Sequence, residues 1–171
     1  MSTNLRSAEL AQSLVELARS QGVRVAVAES LTGGALAAAI VAVPGASHMF
    51  SGGVVAYDSR VKAGLLGVDA QLLADVGAID PRVAAQMAER VREVCSVEGE
   101  AAFLGVATTG VAGPDSTGEH PVGEVYVAIA LPEETRVESL RLSGDRDQIR
   151  EASVAAALGF ALAALAGPEP A

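Results

Sequence analysis

The chain has 171 residues, with 21 acidic and 12 basic side chains and a formal net charge of −9. Polyanion binding needs a clustered basic surface, and here the cations are scattered from Arg6 to Arg150 without a run, which excludes a nucleic-acid grip. Ala, Val and Leu dominate a composition that is 50% hydrophobic and 3% aromatic, as in a packed globular domain, and the lone Cys95 excludes a disulfide framework or a multi-cysteine metal site.

The length suits a single domain over 1–167, followed by a short Pro-containing tail at 168–171. The N-terminal residues lack the basic and apolar regions of a secretory signal. The apolar stretches 34–43 and 152–166 fall short of the roughly 20 residues a spanning helix needs. The expectation is a cytoplasmic protein with no membrane or nucleic-acid partner.

Residues 7–19 carry Leu10, Leu14 and Leu17 at helical spacing, with Gly22 as the stop. The β-branched run 23–28 reads as a buried strand. It leads through 29–34 into a small-residue helix, 35–43, that Pro44 must end for want of a backbone donor. A second strand is expected at 52–57 and a short helix at 61–66. Asp80-Pro81 starts another helix, with Asp80 as N-cap, Pro81 in the first turn, and Val83, Met87, Val91 and Val94 on an inward face. A third strand, 102–107, ends in Thr108-Thr109-Gly110-Val111-Ala112-Gly113-Pro114, where glycines and proline predict a tight loop. Alternation over 123–131 and a partner segment at 136–142 predict a hairpin. Asp145 with Gln148 three residues on is a capping box for a last helix through Leu158, Leu162 and Leu165. The order predicts a three-layer α/β/α sandwich around a mixed sheet of five to six strands.

Four segments could hold chemistry. In Glu29-Ser30-Leu31-Thr32-Gly33-Gly34, a strand turns into a helix. Glycines there admit a ligand close to the backbone and a helix N-terminus favours an anion, while Ser30 and Thr32 are equally suited to capping the helix. The second segment contains Pro44-Gly45-Ala46-Ser47-His48, Tyr57 and Lys62. Eleven of the twelve cations are arginine and Lys62 is the sole lysine. A lysine can act as a base when its pKa is depressed, whereas a guanidinium stays protonated, so Lys62 is either a proton-transfer group or an ordinary surface cation. Third is the loop from Thr109 through Gly110 and Gly113 to Gly123, read either as a ligand loop at a strand end or as a long turn. Fourth is Ser143-Gly144-Asp145-Arg146-Asp147, where Arg146 in a first helical turn opposes the helix dipole and calls for a phosphate or a neighbouring carboxylate. His48 and His120 are too few for a histidine metal site, and Cys95 reads as core.

Taken in order, AESLTGG at 28–34, PGAS at 44–47, GGVVAY at 52–57, Lys62 with LLGV at 65–68, GAI at 77–79, TGVAGP at 109–114, PVGEVY at 121–126 and SGDR at 143–146 resemble the CinA C-terminal domain family of nicotinamide-nucleotide amidohydrolases. The resemblance implies hydrolysis of the carboxamide of nicotinamide mononucleotide to nicotinic acid mononucleotide and ammonia. It makes Ser47 the nucleophile, Lys62 its base and Tyr57 a member of the proton network. It places Ser30, Thr109 and Arg146 near the substrate, with Thr32, Gly33, Gly34, Gly110 and Gly113 cradling it and Arg146 facing the 5′-phosphate. Backbone N–H groups of a Gly-rich turn would receive the oxyanion, with no metal or cofactor. Family habit further implies a homodimer. Some members are known chiefly as competence or damage-inducible proteins, which keeps a non-catalytic nucleotide binder as the alternative.

Overall fold

In the computed structural model, which describes residues 3–167, five strands form one sheet of order β2-β1-β3-β4-β5. Helix α1 (Thr3–Gln21) leads into β1 (Val25–Glu29), followed by α2 (Ala35–Val41), a 3₁₀ turn (Ala46–His48) and β2 (Phe50–Val55). Three helices, α3 (Ser59–Gly64), α4 (Ala70–Val76) and α5 (Pro81–Val94), then precede β3 (Leu104–Gly110). The hairpin of β4 (Glu124–Ala130) and β5 (Thr135–Arg141) is followed by α6 (Arg146–Ala166). Strand β1 runs parallel to β2 and β3, while β4 is antiparallel to β3 and β5 to β4, giving the expected mixed sheet between two helical layers.

Side chains alternate across a strand, so each strand divides its residues between the two layers. Val25, Val27, Leu104, Val106, Val125, Val127 and Ile129 face a core shared with α1, α2 and α6. The opposite face offers Ala26, Ala28, Ala107, Ala128 and Ala130 to α5. Because β1, β3 and β4 present mainly alanine and glycine there, α5 sits very close to them. A Cβ placed on Gly105 would lie 2.0 Å from the Ala88 carbonyl oxygen of α5.

Both expected helix starts are present. Asp80 accepts the Arg82 N–H ahead of α5, and Asp145 with Gln148 forms a reciprocal capping box at α6. Val83, Met87 and Val91 are buried as the pattern demands, while Val94, at the end of α5, is exposed. Three expectations need correction. Strand β3 continues through Thr108 and Thr109 to Gly110, because Thr108 pairs with both Glu29 and Val127 and Gly110 pairs with Val125; ladder bonds on both sides outweigh the glycine. Helix α4 is an element the sequence did not announce: seven residues held by Asp69, whose carboxylate accepts from the Gln71 and Leu72 N–H groups. Helix α6 is 21 residues long, enough to cross a membrane by length and composition, because its polar first turns extend the apolar run. Its buried side, with Ile149, Val154, Leu158 and Ala161, belongs to the core beneath the sheet. The expected tail at 168–171 lies outside the described residues.

Gly105→Ala forces backbone against backbone between β3 and α5. It should destabilise the fold by about 3 kcal/mol, read as a lower urea midpoint at unchanged slope.

Candidate functional site

The strand order and the crossovers fix where a ligand can sit. Connections on opposite faces of the sheet, α2 leaving β1 and α5 entering β3, create a crevice outside the carboxyl ends of β1 and β3, the place where open α/β sheets bind ligands. Ser30 follows β1 directly, Ala56 and Tyr57 follow β2, and Thr109 and Gly110 end β3. A cavity of about 300 Å³ opens there, lined by Ser30, Tyr57, Thr109, Gly110, Gly113 and Arg146 among others.

Lys62, on α3, is fully buried. Its Nζ donates to Ser30 Oγ at 3.0 Å and to the Ala56 carbonyl at 2.5 Å. Among the described residues no carboxylate bonds to it. Burial pushes its pKa from 10.5 down to about 8, and the Asp58 carboxylate opposes the shift. Asp58 caps α3 and is held well below the usual carboxylate range by Arg60, so it stays charged. The sole lysine is therefore no surface cation. It is an amine that loses its proton near pH 8, beside a serine hydroxyl.

The serine beside it is Ser30, not Ser47. Ser47 is exposed in the 3₁₀ turn that precedes β2, where it lines a separate cavity with Pro44, Gly45 and Phe50. Lys62 lies beyond the other end of the same strand, and six strand residues span roughly 17 Å. The structure thus does not bring Ser47 to Lys62.

The turn after Ser30 also departs from the expected anion cradle. The Glu29 carboxylate, itself buried, accepts from Gly34 N–H at 2.9 Å, Leu36 N–H at 3.0 Å and Ala37 N–H at 2.8 Å. The N-terminus of α2 is thereby satisfied by a carboxylate of the chain itself. Thr32 is buried with its hydroxyl 2.8 Å from that of Thr108, and Gly33 and Gly34 lie away from the cavity, towards Arg150 and Val55. Arg150 of α6 donates from Nε to the Leu31 carbonyl at 3.1 Å and from Nη2 to the Thr32 carbonyl at 3.0 Å. Neither Glu29 nor Arg150 was singled out in the sequence, because each acts on residues that only the fold brings near.

Arg146 reaches over the cavity from the first turn of α6, where Nη2 donates to the Tyr57 hydroxyl at 3.0 Å and Nη1 to the Gly113 carbonyl. Both partners are neutral, and among the described residues no carboxylate pairs with this guanidinium. Of the two compensations expected for it, a phosphate or a neighbouring carboxylate, the second is not supplied: Asp145 is spent on its cap and Asp147 faces Arg150. Tyr57 thus meets Arg146 rather than Lys62. Thr109 is buried and donates to the Ala78 carbonyl at 2.7 Å, tying the 77–79 segment to the cavity wall. Beside this rim, Glu124 is held down to about 2 by the Tyr126 hydroxyl, Arg141 and His120.

Fold and site together define a three-layer α/β domain with a buried Ser–Lys pair beside an arginine-capped cavity. The family model for the CinA C-terminal domain matches residues 7–165, and the chain belongs to that family. It is 48% identical over 143 residues to a CinA-like protein of Frankia casuarinae and 43% identical over 139 residues to one of Acidobacterium capsulatum. These alignments take in 84% and 81% of this chain but 32% of each relative, so the chain spans about a third of the length of the curated relatives it matches. Among solved structures, the competence/damage inducible protein CihA from Agrobacterium tumefaciens is similar at a TM-score of 0.86 and 32% identity, covering 95% of this chain and 96% of that one. A competence or damage-inducible protein from Enterobacter asburiae gives 0.87 and 29%, covering 93% and 98%.

In the unfolded chain Lys62 keeps its proton up to about pH 10.5, whereas in the folded protein it loses it near 8. The unfolded state therefore binds more protons across that window, and the contribution of Lys62 to stability rises with pH through it. Lys62→Met abolishes this dependence. Relative to the parent, the variant's stability should fall by about 3 kcal/mol between pH 7 and pH 10.5, measured by urea unfolding at the two pH values.

Proposed function

We propose that this chain hydrolyses the carboxamide of nicotinamide mononucleotide to nicotinic acid mononucleotide and ammonia, with Ser30 as nucleophile and Lys62 as its base. The observation that supports this most is the buried Lys62 Nζ, 3.0 Å from Ser30 Oγ beside the cavity. A serine hydroxyl attacks an amide only when a base takes its proton, and an amine with a pKa near 8 is neutral often enough at working pH to do so.

The chemistry runs in two halves. Neutral Lys62 takes the Ser30 proton as Oγ bonds to the amide carbon, and the resulting ammonium then protonates the departing nitrogen, so that ammonia leaves and a nicotinoyl ester remains on Ser30. Lys62, neutral again, deprotonates a water that attacks this ester. The C–O bond to Ser30 breaks as the Lys62 ammonium returns its proton to Oγ, and the acid product leaves as its carboxylate, giving its proton to solvent.

Arg146 supports a substrate with an anionic end. Its charge meets only neutral oxygens within the protein, and both contacts are ones a phosphate could replace. Tyr57 and Gly113 hold that guanidinium over the cavity, while Thr109 keeps the opposite wall in place through Ala78. The substrate is a cellular metabolite, which makes the cytoplasm the proposed place of work.

The experiment is ammonia release from nicotinamide mononucleotide by the purified protein and its variants. Ser30→Ala and Lys62→Arg should each lose about 10⁴-fold in kcat, whereas Ser47→Ala should stay within about twofold of the parent because a residue remote from the chemistry contributes little. The kcat/KM profile should rise tenfold per pH unit and level off above about 8, where Lys62 is neutral. Thermal stabilisation by the nucleotide without ammonia release would replace the reaction with a binding role.

A further inference from the structure

The Ser30 turn shows how the backbone donors are shared out. Gly33 N–H closes the turn on the Ser30 carbonyl at 3.1 Å, and Ser30 N–H donates to the Thr108 carbonyl at 3.0 Å. The N–H groups of Gly34, Leu36 and Ala37 are taken by Glu29. Two remain, Leu31 N–H and Thr32 N–H, which have no acceptor among the described residues although both residues are buried. Buried backbone donors are paired in the great majority of cases, so two consecutive orphans beside a nucleophile call for an explanation.

Their orientation has an identifiable cause. In a trans peptide the C=O and the following N–H point in opposite directions. Arg150 Nε holds the Leu31 carbonyl towards α6, and this turns the Thr32 N–H away from α6. Arg150 Nη2 holds the next carbonyl, that of Thr32, which keeps the Gly33 N–H on the Ser30 carbonyl, and the Leu31 N–H of that Ser30–Leu31 peptide is turned the opposite way. One planar fork therefore fixes two successive peptide groups, a task for which a guanidinium is suited and a single ammonium is not.

We infer that Arg150 is a positioning residue for the reaction: by clamping the Leu31 and Thr32 carbonyls it fixes the turn in which Gly33 N–H holds the Ser30 carbonyl, and so presents the Leu31 N–H, at the cavity wall, to the oxyanion that forms when Ser30 attacks. The assignment rests on the reading of Ser30 as nucleophile. Arg150 itself touches neither Ser30 Oγ nor Lys62, and its remaining contact is with Asp147 at 3.4 Å. Oxyanion donors act on charge that develops in the transition state, so losing their alignment lowers kcat while leaving KM nearly unchanged.

The test uses two reactions of the full chain. The first is ammonia release from nicotinamide mononucleotide. The second is covalent labelling by a fluorophosphonate, in which Ser30 Oγ bonds to phosphorus, the P–F bond breaks, fluoride leaves, Lys62 takes the hydroxyl proton and the phosphoryl oxygen occupies the oxyanion position. Arg150→Met should slow both kcat and labelling by roughly tenfold to a hundredfold. KM should change less than about threefold, and the pH inflection near 8 should persist because Lys62 is undisturbed. Arg150→Lys, which keeps the charge but not the fork, should fall between, and added guanidinium should restore part of the rate of Arg150→Ala. Should Arg150→Met fail to fold, Arg150→Lys and the guanidinium rescue carry the test, and wild-type rates in the folded lysine variant would overturn the inference. So would a loss confined to KM, or a displaced pH inflection. If the parent chain neither labels at Ser30 nor releases ammonia, the nucleophile assignment itself falls. If the parent labels and the Arg150 variants label at the same rate, only the role of Arg150 falls.

Discussion

An ammonium group buried without a carboxylate partner is the constraint around which this domain is arranged. Lys62 offers its protons to a serine hydroxyl and a backbone carbonyl, neither of which carries charge. Desolvation therefore has no Coulombic repayment apart from the more distant Asp58, and the group's pKa settles near 8. Pairing with a carboxylate would make the same site more comfortable and leave the amine protonated through the working range. A fold that tolerates this cost keeps a base available where a better satisfied lysine would supply none.

The second constraint is the self-capping of α2. A helix N-terminus beside a ligand cavity ordinarily invites an anion, yet the Glu29 carboxylate accepts three of those donors. The dipole of α2 is thus spent internally, on making the strand-to-helix turn rigid, and among the described residues that line the cavity Arg146 is the one cation, with no carboxylate bonded to it. A negatively charged ligand is accordingly directed to the α6 side of the crevice while Ser30 faces the remainder. Arg146 and Arg150 lie four residues apart on α6, so one helical face addresses both the cavity roof and the turn after Ser30.

Much of the architecture was legible in the chain itself. Asp80-Pro81 and Asp145 with Gln148 mark helix starts by local chemistry, and the alternation over β4 marks a strand, although both of its faces are buried. The singular lysine was conspicuous by composition. Its serine was not, because Ser30 and Ser47 both sit in short loops within three residues of a glycine. The parallel pairing of β1 with β2 decides between them: a residue that follows a strand shares an edge with Lys62, whereas one that precedes β2 is carried to the far edge. That rule is available from the strand–turn–helix pattern alone, and it favours Ser30 despite its 32-residue separation from Lys62. Glu29 and Arg150 had no such signal. The first caps amides five to eight residues ahead, and the second crosses from the last helix, 119 residues away, to the Leu31 carbonyl.

The antiparallel turn of the sheet at β4 separates two duties that a wholly parallel sheet would entangle. Because β4 begins at the edge where β3 ends, the chain between them returns to its starting point, pinned at its base by Val111 N–H to the Glu124 carbonyl and Gly123 N–H to the Val111 carbonyl. The residues in between form a closed flap on the cavity rim, with a single internal bridge between Thr117 and His120. No sheet register runs through its tip, and neither Ser30 nor Lys62 is attached to it. A change in the length or charge of that tip would alter what reaches the cavity while leaving the Ser30–Lys62 pair where it is.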